Sequence, residues 1–461
     1  MQYLSPEFAL AFLAFLWLYW FVAVGSGSRL QNLMLLVASY GFYLSFDWRL
    51  PLLLAGFSIT ILGLAKLIPS HHGPRRWPVV CGALAALANL AAFKYYNFFR
   101  EALASGFELS SLPVLDMLLP VGISFYTFVG LNYLFVVGRG ERAPASWSHG
   151  LLFLSFFPTL LAGPICRPQE LLTQIEANTP RKILHLDKAL LLIVSALVKK
   201  IWLAGWLAET WVNPVFADPS HYHALELIGA VTAYAWQLFF DFSGYTDVVT
   251  ALALLLGFSL PANFRQPYLA LNLTEFWQRW HITLSRWIRE FVYIPLGGNR
   301  ASWLRTQVNL VIAMTLSGLW HGAGFTFIVW GLWHGLGFVV QNLWRRFTKI
   351  QLPNGLAQAI TFAFVCCGWV VFRADNWQVA EEFFVGLTNW HQKPSLNWPL
   401  LAIYLCIFFA AAKQAEAVVP RLETILTSLR WWQKSVCCAL VAIGVITLAP
   451  AGVPGFIYFG F

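Results

Sequence analysis

The chain carries the stretch Leu273-Thr274-Glu275-Phe276-Trp277-Gln278-Arg279-Trp280-His281 and, further on, Leu319-Trp320-His321-Gly322, whose histidine lies 40 positions after the first. Both stretches place a histidine directly beside a tryptophan, in a chain whose residues are 59% hydrophobic and only 11% charged. An ionisable side chain is costly in apolar surroundings and is usually kept there for a function. His281 and His321 are therefore the first candidates for functional residues.

The composition predicts an all-α protein that crosses a membrane many times. Soluble domains are about one quarter charged, so a chain with 11% charged residues and a mean hydropathy of +0.63 cannot cover a water-facing surface. We expect about eleven or twelve spans in one domain, residues 1–461, with N-terminal helices (1–150), a core (151–345) and C-terminal helices (346–461). Apolar runs long enough, or nearly so, to cross about 30 Å of hydrocarbon occur at 8–24, 30–46, 51–68, 189–208 and 228–257.

The net charge of +9 would suggest nucleic acid as the partner of a soluble protein. In a membrane protein, however, Lys and Arg gather in cytoplasmic loops, so we expect no nucleic acid and place the N-terminus outside. The basic loops are 71–76, 167–188, 265–305, 345–349 and 413–434, and the acidic or weakly charged loops are 98–116, 209–226 and 374–398.

Residues 151–165 are predicted to enter the membrane and return without crossing it. They lie between two basic segments and contain Pro158, Gly163 and Pro164. Irregular backbone at membrane depth requires surrounding protein or a wet cavity. We therefore expect a cavity near Gly163 and Pro164.

Residues 272–293 are predicted to form one amphipathic helix at the cytoplasmic surface. Asn272 has the position of an N-terminal cap, and Ile294-Pro295 ends the pattern. This helix belongs to the basic loop 265–305, which suits an anionic donor such as acetyl-CoA. His281 lies at the edge of the apolar face, and the alternative is that the helix only anchors the surface. At about 100° per residue, Trp277, Trp280, Leu284, Trp287, Ile288 and Phe291 share one face, opposite Glu275, Arg279, Arg286 and Glu290.

Acyl transfer to a hydroxyl group is the chemistry that fits these residues. It needs a base for the hydroxyl proton and a donor for the developing oxyanion, and histidine titrates near neutrality. His321 lies between Ser317-Gly318 and Gly322-Ala323-Gly324, where small residues leave space for a substrate, while Trp320 keeps water out. The other histidines expected in solvated loops are His71, His72, His149, His185, His221, His223 and His391.

A second copy of the Gly-Leu-Trp-His-Gly pattern places His334 thirteen residues after His321. On one continuous helix the second histidine would be turned by about 220° from the first, so only one of the two would line a given cavity. Bracing a neighbouring helix is a sufficient role for His334.

Other catalytic signatures are absent from the sequence. It has no HxxxxD motif, no G-x-S-x-G elbow, no P-loop and no dinucleotide-binding glycine pattern. The seven cysteines form no CxxC pair and no cluster with histidine, so we expect packing thiols, no disulfide framework and no metal site.

Together these segments resemble the membrane-bound O-acyltransferase family. They are most similar to its bacterial branch, which includes the alginate and cellulose O-acetylation subunits and the D-alanyl transferase of teichoic acids. Several blocks in the same order are a specific signal. The blocks are 121–128, 156–158 with 162–167, 241–247, 263–264 with 267–268, 275–281 with 293–298, 319–322, 372–375 and 456–459.

The resemblance implies that His321 is the catalytic histidine and that His281 supports it. It also implies a ring of helices around a thin partition, pierced by a funnel or tunnel, in the bacterial inner membrane. The donor would be acetyl-CoA or another thioester from the cytoplasm, with no further cofactor, and a periplasmic or membrane-anchored acetyltransferase would complete transfer to the polysaccharide. The residues expected to bind substrate or donor are Trp277, Arg279, Trp280, Trp320, Asp241 and Ser243.

Two alternatives remain at the level of the sequence. D-alanyl transfer to teichoic acid would favour an acidic contact near the funnel, and no acidic cluster accompanies His321. A transporter for a polysaccharide or lipid would use Asp241 and Asp247 around Ser243-Gly244 as a proton path, although these carboxylates would equally brace a broken helix. The sequence does not identify the polymer: cellulose and alginate are both candidates, with the short C-terminal portion favouring cellulose.

Overall fold

The computed structural model describes residues 3–68, 76–107, 113, 118–300 and 302–450, and this part of the chain forms helices and loops without a β-strand. The predicted all-α fold is confirmed. Three features of the sequence analysis lie outside the described residues: His71 and His72, which were expected in a solvated loop, and the block 456–459 of the family resemblance.

The chain divides into two compact units, Met1–Ala189 with Val248–Pro261 and Leu190–Asp247 with Ala262–Phe461. The helices Leu186–Ala196 and Ala224–Leu255 extend across the division. The single domain with parts 1–150, 151–345 and 346–461, and the ring of helices around a funnel, stay predictions.

The first unit begins with a helix twice as long as predicted. The apolar runs 8–24 and 30–46 belong to one helix, Pro6–Leu44, whose N-terminus is capped by the Ser5 side chain. The prediction of two separate spans is wrong, because Gly25 and Gly27 each weaken a helix by only about 1 kcal/mol. The other helices are Arg49–Lys66, Arg76–Leu90, Tyr96–Phe107, Ile123–Gly138, Trp147–Ser155, Phe157–Leu160 and Thr173–Glu176, with π-helical turns at Ala91–Tyr95 and Pro168–Leu172.

The segment 151–165, predicted to enter the membrane and return, contains no helix long enough to span it, and the re-entrant path itself stays a prediction. Its two helices, Trp147–Ser155 and Phe157–Leu160, have 9 and 4 residues, far fewer than the roughly 20 that a span needs. The irregular backbone that follows is buried, since residues 161–166 are all buried. The cavity expected near Gly163 and Pro164 stays a prediction.

The second unit surrounds an aromatic core that includes Trp236, Tyr268, Trp330 and Trp369. Residues 413–428, expected in a loop, continue the helix Trp398–Ser428. The α-helices of this unit are Gly205–Leu207, Asn213–Ala217, Leu273–Arg279, Ile282–Ile288, Trp303–His321, Phe325–Phe347, Asn354–Arg373, Trp377–Gly386, Trp398–Ser428 and Trp431–Leu448. Its π-helical segments are Leu197–Ala204, Ala208–Val212 and Arg289–Tyr293, and its 3-10 turns are Pro219–His221, Pro267–Leu269 and Gly298–Arg300.

Seven helical segments of the described chain are long and apolar enough to cross a membrane, with Pro6–Phe21 and Ile123–Gly138 as shorter apolar helices. This count is below the predicted eleven or twelve spans. Part of the difference lies in Trp303–His321 and Phe325–Phe347, whose 19 and 23 residues are long enough to cross but too polar to be counted by composition. The seven are Arg49–Lys66, Trp77–Glu101, Leu186–Ala217, Ala224–Leu255, Asn354–Arg373, Trp398–Ser428 and Trp431–Leu448.

Candidate active site

His321 is the last residue of the first helix in a tight hairpin. This histidine hairpin consists of Trp303–His321 and Phe325–Phe347, joined by residues 322–324. Its helices approach each other closely, because a Cβ on Gly331 would lie 2.5 Å from Met314 O, and small residues allow such close packing between membrane helices. His321 is only 3% exposed, so the hairpin holds it inside the protein.

The residues around His281 do not form the single helix predicted for 272–293. That prediction is wrong: Leu273–Arg279 and Ile282–Ile288 are separate helices, and His281 between them has the left-handed backbone angle φ 42°. Asn272 caps the first helix as predicted, since its side chain accepts from Glu275 N at 3.0 Å. The break turns His281 fully into the protein, where it is 0% exposed.

Asn263 holds His281 in one orientation. The amide oxygen of Asn263 accepts hydrogen bonds from Thr283 N at 3.3 Å and Thr283 Oγ1 at 2.9 Å, and it lies 3.2 Å from His281 Nδ1. Because a carbonyl oxygen can only accept, we assign the ring proton to Nδ1, which leaves the lone pair on Nε2. His281 lies outside the candidate membrane spans, and burial lowers its pKa to about 3, so this imidazole is neutral at physiological pH.

The ring of Trp320 contacts both His281 and His321. Its ring centroid is 5.8 Å from that of His281 and 4.9 Å from that of His321. His321 also contacts Trp330 at 5.1 Å and Phe372 at 5.3 Å. The structure therefore brings His281, Trp320 and His321 together in one buried aromatic site.

Trp277 and Trp280 extend this aromatic site through two further tryptophans. The Trp277 ring lies 5.7 Å from Trp330, and the Trp280 ring lies 5.2 Å from Trp369. Trp330 and Trp369 stack at 5.8 Å. Both predicted tryptophans thus belong to the same aromatic cluster as Trp330, the hairpin residue that contacts His321.

Asp241 lies on the long helix Ala224–Leu255, which is continuous through Ser243 and Gly244. The suggestion of a broken helix at this position is wrong. Asp241 forms a buried ion pair with Lys200, whose side chain is 4% exposed. The neighbouring residue Phe242 reaches the site, with its ring 4.8 Å from that of His281.

A second carboxylate of this helix has its own basic partner. Asp247 accepts from Lys199 Nζ at 2.7 Å and from Ser195 Oγ at 2.9 Å. Both lysines belong to the π-helical segment Leu197–Ala204, and a Cβ on Gly244 would lie 3.2 Å from each lysine Cβ. The sequence analysis assigns no role to Lys199 and Lys200, although two adjacent charges within the apolar run 189–208 are a signal that could have indicated them.

Arg279 and Ser243 are two further residues that the sequence predicts to bind the substrate or donor. Arg279 is half-buried in an ion pair with Glu275 on its own helix. Ser243 is buried, and its hydroxyl has no hydrogen-bond partner within the described part of the chain. Their roles in binding stay predictions.

A cleft of about 910 Å³ opens beside the histidine hairpin. We name it the arginine cleft, because Arg286, Arg289, Arg345 and Arg346 line it. It extends to Ser317, one helical turn before His321. Thr274, Trp277, Gln278, Ile282, Ser285, Ile288, Tyr293, Asn299, Trp303, Thr306, Gln307, Leu310, Ala313, Met314, Phe338 and Asn342 complete the lining.

His334 also belongs to this region, contrary to the separate surroundings expected for it. The helix that was assumed to join the two histidines ends at His321, and a new helix begins at Phe325. The ring of Trp330 contacts both imidazoles, at 5.1 Å for His321 and 4.8 Å for His334.

One of the loop histidines is not solvated. His223 is buried, and its Nδ1 accepts from Leu225 N at 3.1 Å at the start of the helix Ala224–Leu255. The prediction is wrong there because this histidine caps a helix. His221 is exposed, with Nδ1 2.8 Å from Asp218 Oδ2. All seven cysteines are free, and Cys166 and Cys366 are buried as packing thiols would be.

These observations define a class of protein: an all-α membrane enzyme with several apolar spans and two buried histidines that contact one tryptophan. A sequence model of the MBOAT, membrane-bound O-acyltransferase family, matches residues 141–375. The chain belongs to the membrane-bound O-acyltransferase family. It is therefore a multi-pass membrane protein and an acyltransferase, as predicted.

Its relatives are bacterial, in keeping with the predicted inner-membrane location. The probable alginate O-acetylase AlgI of Pseudomonas aeruginosa is 39% identical over 398 residues, covering 83% of this chain and 74% of that protein. The peptidoglycan O-acetyltransferase of Helicobacter pylori is 34% identical, covering 84% and 79%. The teichoic acid D-alanyltransferase of Bacillus subtilis is 26% identical, covering 64% and 77%.

Proposed function

We propose that this chain passes an acetyl group from a cytoplasmic thioester, such as acetyl-CoA, across the inner membrane for O-acetylation of an exopolysaccharide of the cellulose or alginate type. The observation that carries the proposal is the buried pair His281 and His321 beside the arginine cleft. His321 acts as the base, taking the proton of the acceptor hydroxyl as its oxygen attacks the thioester carbon.

The arginine cleft supports an anionic donor. Four guanidinium groups line it, and no Asp or Glu belongs to its lining among the described residues. Arginine pairs well with phosphate, and a concentration of positive charge is typical of the cytoplasmic side. A donor whose phosphates bind these arginines would have its thioester near Ser317, within one turn of His321.

His281 supports the reaction from the other side of Trp320. With its proton fixed on Nδ1 by Asn263, its Nε2 presents a lone pair of constant orientation. We assign it to positioning the acceptor hydroxyl or the charged His321 ring, and a fixed tautomer serves either purpose.

The names of the relatives favour acetyl over the other acyl groups. AlgI and the peptidoglycan enzyme are named as O-acetylating proteins and match more of this chain than the D-alanyltransferases do. D-alanyl transfer is the second candidate, but a D-alanyl group carries a cation, which suits a cleft lined by arginine poorly. A periplasmic or membrane-anchored acetyltransferase is the expected partner that completes transfer to the polymer.

The experiment that tests this function is mass analysis of the exopolysaccharide from cells with and without the chain. The expected result is a polymer of unchanged amount that loses its acetyl esters when the chain is deleted. D-alanyl esters lost in place of acetyl esters would favour the second candidate. Loss of the exported polymer itself would indicate a transporter and overturn the proposal.

A further inference from the structure

His334 is a buried histidine that the proposed reaction leaves without a role. It is 0% exposed, and neither of its ring nitrogens has a hydrogen-bond partner among the residues that the structure describes. Buried polar atoms nearly always have such a partner, so an unpartnered one needs an explanation. A side chain that only filled space would need no nitrogen at this position.

Three indole rings surround His334, and together they form what we name the indole cage. The ring centroids of Trp277, Trp330 and Trp369 lie 5.2, 4.8 and 6.4 Å from that of His334. The indole nitrogen of each is also buried without a partner in the described chain. An indole N–H can only donate, and a neutral imidazole carries one N–H. Four donors in one cage therefore lack an acceptor.

The indole cage connects the arginine cleft with His321. Trp277 lines the cleft and contacts His334, while Trp330 contacts both His334 and His321. A carbonyl group that arrived through the cleft would therefore meet unpartnered N–H groups beside the base. Carbonyl oxygen is the acceptor that the thioester brings.

We propose that His334, assisted by the Trp330 indole N–H, hydrogen-bonds the carbonyl oxygen of the thioester and stabilises the oxyanion formed during transfer. The inference rests on the proposed function and deepens it. The hydroxyl oxygen bonds to the carbonyl carbon as His321 takes its proton, and the C=O electron pair moves onto the oxygen held by His334. The C–S bond then breaks, the carbonyl re-forms, and His321 returns the proton to the departing thiolate.

Donors with no partner in the ground state are suited to this task, since they need no rearrangement when charge develops. The need for an N–H group distinguishes this oxyanion donor from two other roles for His334, a proton carrier and a structural brace. A proton carrier must titrate, a brace needs only the volume of the ring, and an oxyanion donor needs an N–H group. Glutamine and leucine at position 334 distinguish the three.

The experiment uses inverted membrane vesicles containing the complete polysaccharide system and radiolabelled acetyl-CoA as the probe. kcat and KM are measured for the wild type, His334→Gln, His334→Leu and Trp330→Phe, at equal amounts of folded protein. Removing one oxyanion donor typically lowers kcat by about 10²–10³-fold, so we expect that loss for His334→Leu with an unchanged KM. His334→Gln retains an N–H group, so its kcat should be at least about tenfold higher than that of His334→Leu. The exposed His221→Leu variant is the control and should match the wild type.

Wild-type kcat in His334→Leu would overturn the inference in favour of a brace. Equal loss in the Gln and Leu variants would overturn it in favour of a proton carrier. If His334→Leu does not accumulate, Trp330→Phe decides: lower kcat at unchanged KM supports the donor role, and unchanged kcat contradicts it. Failure of the wild type to transfer acetyl would instead remove the proposed function, and the inference with it.

Discussion

Asn263 and His281 are joined by a hydrogen bond that fixes which imidazole nitrogen carries the proton. In Asn263→Ala this acceptor is lost, the ring is free to change tautomer, and we expect kcat to fall by roughly tenfold or more. Asn263→Asp keeps an acceptor oxygen and should restore most of the rate. Turnover by vesicles at equal protein levels measures both variants, and an Asn263→Ala enzyme as fast as the wild type would show that the hydrogen bond has no role in orientation.

At the residue scale the sequence predicts which side chains are buried together better than it predicts their hydrogen-bond partners. Ionisable and aromatic groups in apolar segments indicate five residues, and all five are buried in one unit: His321, His281, Trp320, Trp277 and Trp280. Their partners were missed. The contact between the Asn263 amide and the His281 ring depends on the left-handed backbone of His281. No local sequence pattern predicts this conformation, because histidine rarely adopts it.

At the scale of elements, the histidine hairpin depends on glycine where its helices meet. A Cβ on Gly331 would lie 2.5 Å from Met314 O and 2.7 Å from Thr315 Cα, and backbone atoms cannot move aside easily. Gly331→Ala is expected to destabilise the protein by about 1–3 kcal/mol. Thermal unfolding in detergent measures the effect.

The matched control is Gly444→Ala, also within a helix, where no atom lies within 4 Å of the added Cβ. Alanine there should leave stability unchanged or raise it slightly. Equal midpoints for the two variants would show that the hairpin tolerates separation.

The pairing of the long helix Ala224–Leu255 with the π-helical segment Leu197–Ala204 is tested by its buried ions. Lys200→Met removes the cation that pairs with the buried Asp241 carboxylate and should cost about 3–5 kcal/mol. The double variant Lys200→Met with Asp241→Leu removes both charges and should recover most of that loss. Folded yield and thermal midpoint measure the cycle, and additive losses would mean that the pair is not coupled.

The elements themselves were predictable where one periodicity dominates. The run 228–257 became the helix Ala224–Leu255 because it is apolar along its length. In the segment 272–293 most of the predicted apolar face is buried, but the predicted single helix is divided into two at His281. The tertiary contacts of His281 outweigh the helical pattern there. The run 189–208 lies within a helical segment, but its π-helical turns have no sequence signature that we could use.

At the scale of the whole molecule, the arginine cleft is expected to attract the donor through charge. Replacing Arg286 and Arg345 together by Glu should raise KM for acetyl-CoA by about tenfold or more and weaken its dependence on salt, with a smaller change in kcat. Initial rates in vesicles at two ionic strengths measure this. Arg421→Glu, at an exposed position on another helix, is the control. An unchanged KM in the double variant would show that the donor binds elsewhere.

Fold class and enzyme class were both available from the sequence, because composition alone requires a membrane protein and the ordered motif blocks resemble one family. The division into two compact units was not. It depends on contacts between distant segments, such as residues 248–261 with the N-terminal helices, and such pairings leave no trace in local composition.

The central claim is that His321 is the base of an acetyl transfer within the membrane. Its most direct test is the acetyl content of the exopolysaccharide in cells whose own copy is replaced by His321→Gln, with membrane protein level and exported polymer measured in parallel. Glutamine forms hydrogen bonds but cannot take a proton, so we expect a normal level of the protein and a normal amount of polymer that has lost its acetyl esters. Polymer acetylated to the wild-type level by that variant would contradict it.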